Sequence, residues 1–147
     1  MQLPDYIPLA EVQRVCQELG LRDWTALSEA VVLPEEAATI RNLIGGEALL
    51  ISPEEFQAGL EVELEHGVHF PDTNVTNNHP VLTGKIVLAH LKEMLDYYRR
   101  LEIAELEGDL LKAVKNGDSE KATSKYKRLA AVRLALALHE AQQLDQY

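Results

Sequence analysis

The sequence has almost no cysteine, no long hydrophobic run and, in its first half, very little positive charge. The single cysteine, Cys16, excludes an intramolecular disulfide framework and any zinc site built from paired cysteines. No apolar stretch reaches the about 18 residues that a membrane-spanning helix needs, and the start of the chain lacks the basic-then-apolar pattern of a secretion signal. We therefore expect a soluble, cytoplasmic protein that makes no contact with a membrane.

The charge of the chain is placed unevenly. Residues 1–67 hold three basic and thirteen acidic side chains, so this segment carries all of the net charge of −10. An acidic surface repels the phosphate backbone, which excludes general nucleic-acid binding. Basic residues between positions 112 and 133 alternate with acidic ones, as is typical of a solvated helix face. The acidic half favours a basic protein partner instead.

The composition is that of an ordinary globular protein. Apolar residues make up 46% of the chain and charged residues 26%, so the chain can bury a core. Helical periodicity runs through almost the whole sequence, and no segment shows the alternation of a half-buried strand. We predict an all-α fold that forms a single domain over residues 1–147.

Residues 1–50 are predicted to form short helices. An apolar stripe that includes Val12 and Cys16 indicates a first helix, which ends at Gly20 and buries the cysteine. Asp23 is a suitable N-cap for a short second helix, and Pro34 suits the first position of a third.

Residues 51–101 contain the clearest helix start. Ser52, Pro53 and Glu55 form a capping-box pattern, which predicts a fourth helix from Pro53 to about His66. A polar passage follows from Gly67 to Leu82. A fifth helix is predicted from Thr83 to about Lys115 and a sixth beyond it, so residues 102–147 complete an antiparallel helical hairpin about 40 Å long. The short N-terminal helices are predicted to pack against this hairpin.

Potential ligands for a metal ion are concentrated where the fourth helix ends and the fifth begins. Four of the five histidines fall between positions 66 and 90. Imidazole and carboxylate groups suit zinc, manganese or iron. The sequence predicts a divalent-metal or small-ligand site formed by Glu65, His66, His69, His90 and Glu93.

One other interpretation stays open. The motif His-x-x-Glu at His90 is neither HExxH nor a paired Glu-x-x-His set, so the same residues also fit a purely structural polar cluster. In that case the protein is a non-enzymatic interaction module whose acidic N-terminal half binds a basic partner. The apolar stretch from Leu129 to Leu138 then favours a homodimer through the hairpin. No residue is assigned a catalytic role.

Three motifs in order carry a resemblance. They are Phe56-x-x-Gly59-Leu-Glu-Val-Glu-Leu-Glu-His-Gly67, Thr73-Asn-Val-Thr76, and Thr83-Gly-Lys-Ile-Val-Leu-Ala-His-Leu-Lys-Glu93 with Asp96-Tyr-Tyr98 after it. Together they resemble a small domain family of unknown function found in bacteria and some of their phages. The resemblance covers about Ile51 to Leu101, and residues 25–50 look like an insertion.

The resemblance implies no activity, but it indicates which candidate residues belong to the shared domain. It includes Glu65, His66, His90 and Glu93, and it suggests further residues as supporting or structural partners. These are Asn74, Thr76, Thr83 and Lys85. The chain has Asn78-His79 where the family is expected to have acidic residues, so a carboxylate ligand at that place is not expected.

Overall fold

A computed structural model describes residues 6–145 of the chain. These residues form six α-helices and three short 3-10 turns, with no strand among them, so the predicted all-α fold is confirmed. The helices are α1 (Leu9–Leu19), α2 (Pro34–Ile44), α3 (Pro53–His69), α4 (Pro80–Glu93), α5 (Tyr97–Lys115) and α6 (Ser119–Leu144). The 3-10 turns are Trp24–Ala26, Gly46–Leu50 and Pro71–Thr73.

The chain divides into two compact units. The N-terminal unit is Met1–Glu93 and the C-terminal unit is Met94–Tyr147. The prediction of one domain, with short helices packed on a hairpin, stays a prediction. Among residues 6–145, no helix is both long enough and apolar enough to cross a membrane.

The core of the N-terminal unit forms where α2, α3 and α4 meet. Ile40, Phe56 and Leu60 are completely buried there, and Trp24 is completely buried in the first 3-10 turn, where its indole N–H donates to Glu36 of α2. Gly84 brings α4 close to α2, because a Cβ at this position would lie 2.7 Å from the side chains of both Ile40 and Ile44. A larger residue at position 84 would therefore force the two helices apart.

Several helix boundaries follow the local signals in the sequence. Gly20 has a left-handed φ of 68° and ends α1, and Cys16 is buried as predicted. The Asp23 side chain accepts a hydrogen bond from the Thr25 backbone N–H. The Ser52 hydroxyl accepts a hydrogen bond from the Glu55 backbone N–H at the start of α3. These contacts satisfy backbone donors that a helix end leaves without partners.

Glu36 is a buried carboxylate that organises the N-terminal unit. Its oxygens accept hydrogen bonds from the backbone and guanidinium of Arg22, the Leu33 backbone N–H and the Trp24 indole N–H. Burial alone raises the pKa of Glu36, but the bonds from Arg22 and Leu33 outweigh it, and the pKa is lowered. The ionised carboxylate thus links three segments of the unit.

The turn at Gly46–Leu50 is held through its backbone. The Arg41 guanidinium on α2 donates hydrogen bonds to the carbonyl oxygens of Ala48, Leu49 and Ile51, at 2.7 to 3.1 Å. Planar guanidinium groups suit such convergent acceptors. This contact fixes the path of the chain between α2 and α3.

The predicted end of the fourth helix at His66 is wrong. Helix α3 continues through Gly67 to His69, because Gly67 adopts a helical conformation and leaves room for two asparagine side chains. A Cβ on Gly67 would lie 1.9 Å from Oδ1 of Asn78 and 2.7 Å from Nδ2 of Asn74. The glycine is required for close packing here and not for chain reversal.

The predicted unbroken fifth helix is also wrong. Helix α4 begins earlier, at Pro80, and ends at Glu93, and α5 starts at Tyr97. Between them, the Tyr97 backbone N–H donates to the Met94 carbonyl oxygen, which replaces the regular helical bond. The buried carboxylate of Asp96 is held by Arg100 at 2.7 Å.

The C-terminal unit consists of the helical hairpin of α5 and α6. Asn116, Gly117 and Asp118 connect the two helices, and the Asp118 side chain caps α6. Ion pairs between the described residues join the helices, among them Arg100 to Glu140, Lys125 to Asp109, Arg128 to Glu102 and Arg133 to Glu107. This arrangement agrees with the predicted hairpin, although α5 is shorter than expected.

Candidate functional site

The C-terminal half of α3 carries acidic and histidine side chains on two sides of the helix. Glu61, Glu65 and His69 recur every four residues and therefore lie in one row. Glu63 and His66 lie in another row, at a spacing of three residues. The predicted ligands are thus divided between two places in the N-terminal unit.

The first place is centred on Glu63. Its Oε2 lies 3.8 Å from Nδ1 of His66, and its Oε1 lies 3.4 Å from Nε2 of His90 on α4. The Glu63 side chain is 12% exposed, whereas that of His66 is 62% exposed. The structure therefore places His66 and His90 beside the same carboxylate, that of Glu63. Glu63 is not one of the five predicted ligands.

The second place is a groove of about 410 Å³ between α3 and the irregular segment before α2. On its α3 side, Oε1 of Glu65 lies 3.2 Å from Nδ1 of His69, one turn further along the same helix. Three carboxylates line the groove, those of Glu29, Glu61 and Glu65, and Oε1 of Glu61 accepts a hydrogen bond from the Val32 backbone N–H. The remaining lining residues are Ser28, Ala30, Ala58 and Val62.

The five predicted metal ligands do not gather into one cluster. Glu65 and His69 lie in the groove and His66 and His90 lie at Glu63, while Glu93 is exposed at the end of α4. In the part of the chain from residue 6 to residue 145, no three His, Cys, Asp or Glu side chains are arranged to hold a metal ion. The metal site predicted from Glu65, His66, His69, His90 and Glu93 stays a prediction.

The polar passage after α3 has a structural role. Asn74 donates from Nδ2 to the Gly67 carbonyl oxygen and to Oδ1 of Asn78, and Asn78 donates to the Trp24 carbonyl oxygen. Asn77 and Asn78 both have positive φ angles, of 50° and 61°, which asparagine tolerates better than most residues. These amides hold the passage against the rest of the unit.

His79 caps α4 from within this passage. Its Nδ1 accepts a hydrogen bond from the Leu82 backbone N–H at 3.4 Å, so this nitrogen carries no proton in the bond. Burial lowers the pKa of His79. Thr83 donates its hydroxyl to the His79 carbonyl oxygen, and Lys85 is exposed on α4.

Sequence reasoning did not identify the groove. The row Glu61, Glu65 and His69 was visible from helical spacing, and Ala58 and Val62 extend it. Glu29 gave no such signal, because it lies in an irregular segment whose neighbours only the tertiary structure determines. Glu63 stood among the acidic residues of the fourth helix, but its contact with His90 crosses to another helix.

A comparison with protein families finds one match. The family described as "Protein of unknown function (DUF5661)" matches residues 12–107. The chain belongs to this family. This confirms the resemblance seen in the three motifs, and the DUF5661 match begins earlier in the chain than those motifs do. It also includes every residue of both candidate places, whereas α6 lies outside it.

Comparison with curated proteins and with solved structures finds no match.

Proposed function

We propose that residues 1–93 form a non-enzymatic binding module whose groove takes a lysine or arginine side chain of a basic protein partner. The observation that carries this proposal is the grouping of Glu29, Glu61 and Glu65 around one groove with apolar residues between them. Three carboxylates in one groove favour a cation.

The lining of the groove suits a long basic side chain. Ala30, Ala58 and Val62 provide apolar surface for an aliphatic stem, and the carboxylates provide acceptors for its charged end. Because Glu61 uses Oε1 for the Val32 backbone N–H, its position is fixed and its second oxygen can accept from a ligand. The volume of about 410 Å³ lies at the small end of the range for ligand sites.

The charge of the whole unit supports the same partner. Residues 1–93 contain five basic and fifteen acidic side chains, a net charge of −10, whereas residues 94–147 contain nine of each. A strongly acidic surface attracts a basic partner over a distance and raises the association rate at low ionic strength.

The test is binding of a fluorescein-labelled hexa-arginine peptide, measured by fluorescence anisotropy. We expect the triple variant Glu29→Gln, Glu61→Gln, Glu65→Gln to bind about tenfold more weakly, because the carboxylates that contact the guanidinium groups are lost. The matched control is Glu35→Gln, Glu54→Gln, Asp72→Asn, which removes the same charge from exposed positions outside the groove.

The control separates a site from a general charge effect. If the two triple variants weaken binding equally, the peptide senses only net charge and the groove is not a site. Thermal unfolding followed by the fluorescence of Trp24, the single tryptophan of the chain, verifies that both variants are folded.

A divalent-metal site at Glu63 is a second candidate function. The Glu63 carboxylate lies 3.4 Å from His90 and 3.8 Å from His66, and carboxylate and imidazole are ligand types that zinc, manganese and iron bind. Binding requires these three side chains to rearrange around the ion. The test is elemental mass spectrometry of the untagged protein. Zinc, manganese or iron at about one ion per chain that disappears in His90→Ala supports the site. Metal-free protein whose melting temperature is unchanged by these ions excludes it.

A further inference from the structure

Helix α6 has an exposed apolar face that lies away from the hairpin core. At 100° per residue, one arc of about 120° contains seven exposed apolar residues. This α6 face consists of Tyr126, Ala130, Leu134, Ala137, Leu138, Ala141 and Leu144. The buried residues Leu129 and Leu136 point about 130° away from its centre. The face therefore points away from the seam between α5 and α6.

Charged residues mark the two ends of this face. Lys127 and Asp145 are 18 residues apart, which is about five helical turns, so both lie at the same side of the arc. Neither has an ion-pair partner among residues 6–145. By contrast, Lys125, Arg128 and Arg133 of the same helix all pair with carboxylates of α5.

The order of residues along the face is complementary to the same order read in the opposite direction. If two copies of α6 run antiparallel about a two-fold axis near position 136, residues whose numbers add up to about 272 meet. Lys127 then meets Asp145 of the second copy, and Leu134 meets Leu138. Ala130 meets Ala141, so small residues face each other and the helices can approach closely. Tyr126 meets Leu144.

We propose that the α6 face is covered by α6 of a second copy of this chain, in this antiparallel arrangement. The four large side chains of the face are 57% to 74% exposed. Covering them removes on the order of 400 Å² per copy from water at roughly 100 Å² each, about half the area of a standard interface. An interface of this size is typical of a weak, reversible dimer.

The first test is sedimentation velocity of the full chain between about 5 and 500 µM. We expect the average mass to rise with concentration from one chain toward two. Leu134→Glu places two carboxylates near the two-fold axis and is expected to weaken association by at least about thirtyfold. Leu111→Glu on α5 is the control, because Leu111 is similarly exposed but lies outside the face.

The second test uses the charges at the ends of the face. Lys127→Asp or Asp145→Lys alone puts like charges together twice in each dimer, and we expect association to weaken several-fold at low salt. A mixture of the two variants is expected to regain it, since both contacts then join opposite charges. No contact within one chain explains this rescue, because positions 127 and 145 lie about 27 Å apart along one helix.

A chain that stays monomeric at every concentration overturns the proposal. So does a dimer that tolerates Leu134→Glu, or a mixture of charge variants that associates no better than each variant alone. Circular dichroism of every variant verifies that a lost dimer is not a lost helix.

Discussion

The two units of this chain are stabilised in different ways. In the N-terminal unit, Trp24, Ile40 and Phe56 are completely buried, and a buried carboxylate connects separate segments. In residues 94–145, the buried apolar side chains are those of Leu106, Ala113, Leu129 and Leu136. Ion pairs between α5 and α6 supplement this narrow seam. The N-terminal unit is stabilised mainly by its packed core. The C-terminal unit is stabilised by the contact along two long helices and by the ion pairs between them.

This difference predicts how each unit tolerates change. A packed core loses contacts whenever a buried side chain is shortened. A two-helix hairpin has few buried side chains to lose, but its exposed ion pairs respond to salt. The two units can be followed separately, because Trp24 reports on the first and hydrogen exchange of α6 reports on the second.

The largest expected effect is the loss of the Phe56 ring. Phe56→Ala leaves a cavity in the core, and we expect the free energy of unfolding of the N-terminal unit to fall by about 3–5 kcal/mol. Urea unfolding followed by Trp24 fluorescence measures this change. Hydrogen exchange in α6 serves as the comparison, and equal loss of protection in both units would show that they unfold as one.

A pair of glycine substitutions is expected to have opposite effects in the two units. Gly67→Ala drives a methyl group into the Asn74 and Asn78 side chains and is expected to cost about 1–3 kcal/mol. Gly108→Ala on α5 meets nothing within 4 Å and is expected to stabilise the hairpin by up to about 1 kcal/mol. Urea unfolding of the first variant and hydrogen exchange of the second measure these changes, and two changes of the same sign would contradict this view.

The local signals of helix ends were enough to predict much of the fold. Asp23, Pro34 and Ser52 act through neighbours within a few residues, so their roles are visible in the sequence. The break between α4 and α5 was missed because residues 94–96 contain neither glycine nor proline. It depends on how Asp96 is buried with Arg100.

The candidate site was predictable only in part. Helical spacing placed Glu65 and His69 in one row, but the groove also needs Glu29 from an irregular segment. Similarly, the approach of His90 to Glu63 depends on how α3 packs against α4. Contacts between residues that are distant in sequence need the tertiary structure, and a single sequence contains no direct record of them.

Acid is expected to weaken the N-terminal unit before it weakens the hairpin. Burial lowers the pKa of His79 and the charge of Arg14 lowers it further, while a backbone hydrogen bond and the charge of Glu11 raise it by smaller amounts. The unfolded chain therefore binds a proton near pH 6.5 that the folded unit resists, and the free energy of unfolding falls as the pH drops below that value.

A second loss is expected below about pH 4.5, where the unfolded Glu36 is protonated but the folded one, with its lowered pKa, stays ionised. Urea titrations between about pH 2.5 and 8 measure both steps. His79→Gln should flatten the first step and leave the second, and an unchanged slope above pH 5 in this variant would assign the first step to another group.

Added salt is expected to have the smallest effect on stability, raising that of the N-terminal unit and lowering that of the hairpin. Screening reduces self-repulsion in the N-terminal unit, whose net charge is −10. In the hairpin, screening weakens the exposed ion pairs of Arg128 with Glu102 and of Arg133 with Glu107, and each such pair contributes about 0.2–1 kcal/mol to stability. Hydrogen exchange with and without added salt should show protection rising in α3 and falling in α6.

The hydrogen bonds from Arg41 to three carbonyl oxygens have a practical consequence. Main-chain oxygens are the same in every residue, so the turn at Gly46–Leu50 is recognised without reference to its side chains. Leu49 and Leu50 are exposed within it. Positions 49 and 50 are therefore suitable places to attach a dye, a spin label or an affinity handle while the turn is retained, whereas the completely buried Ala48 is not.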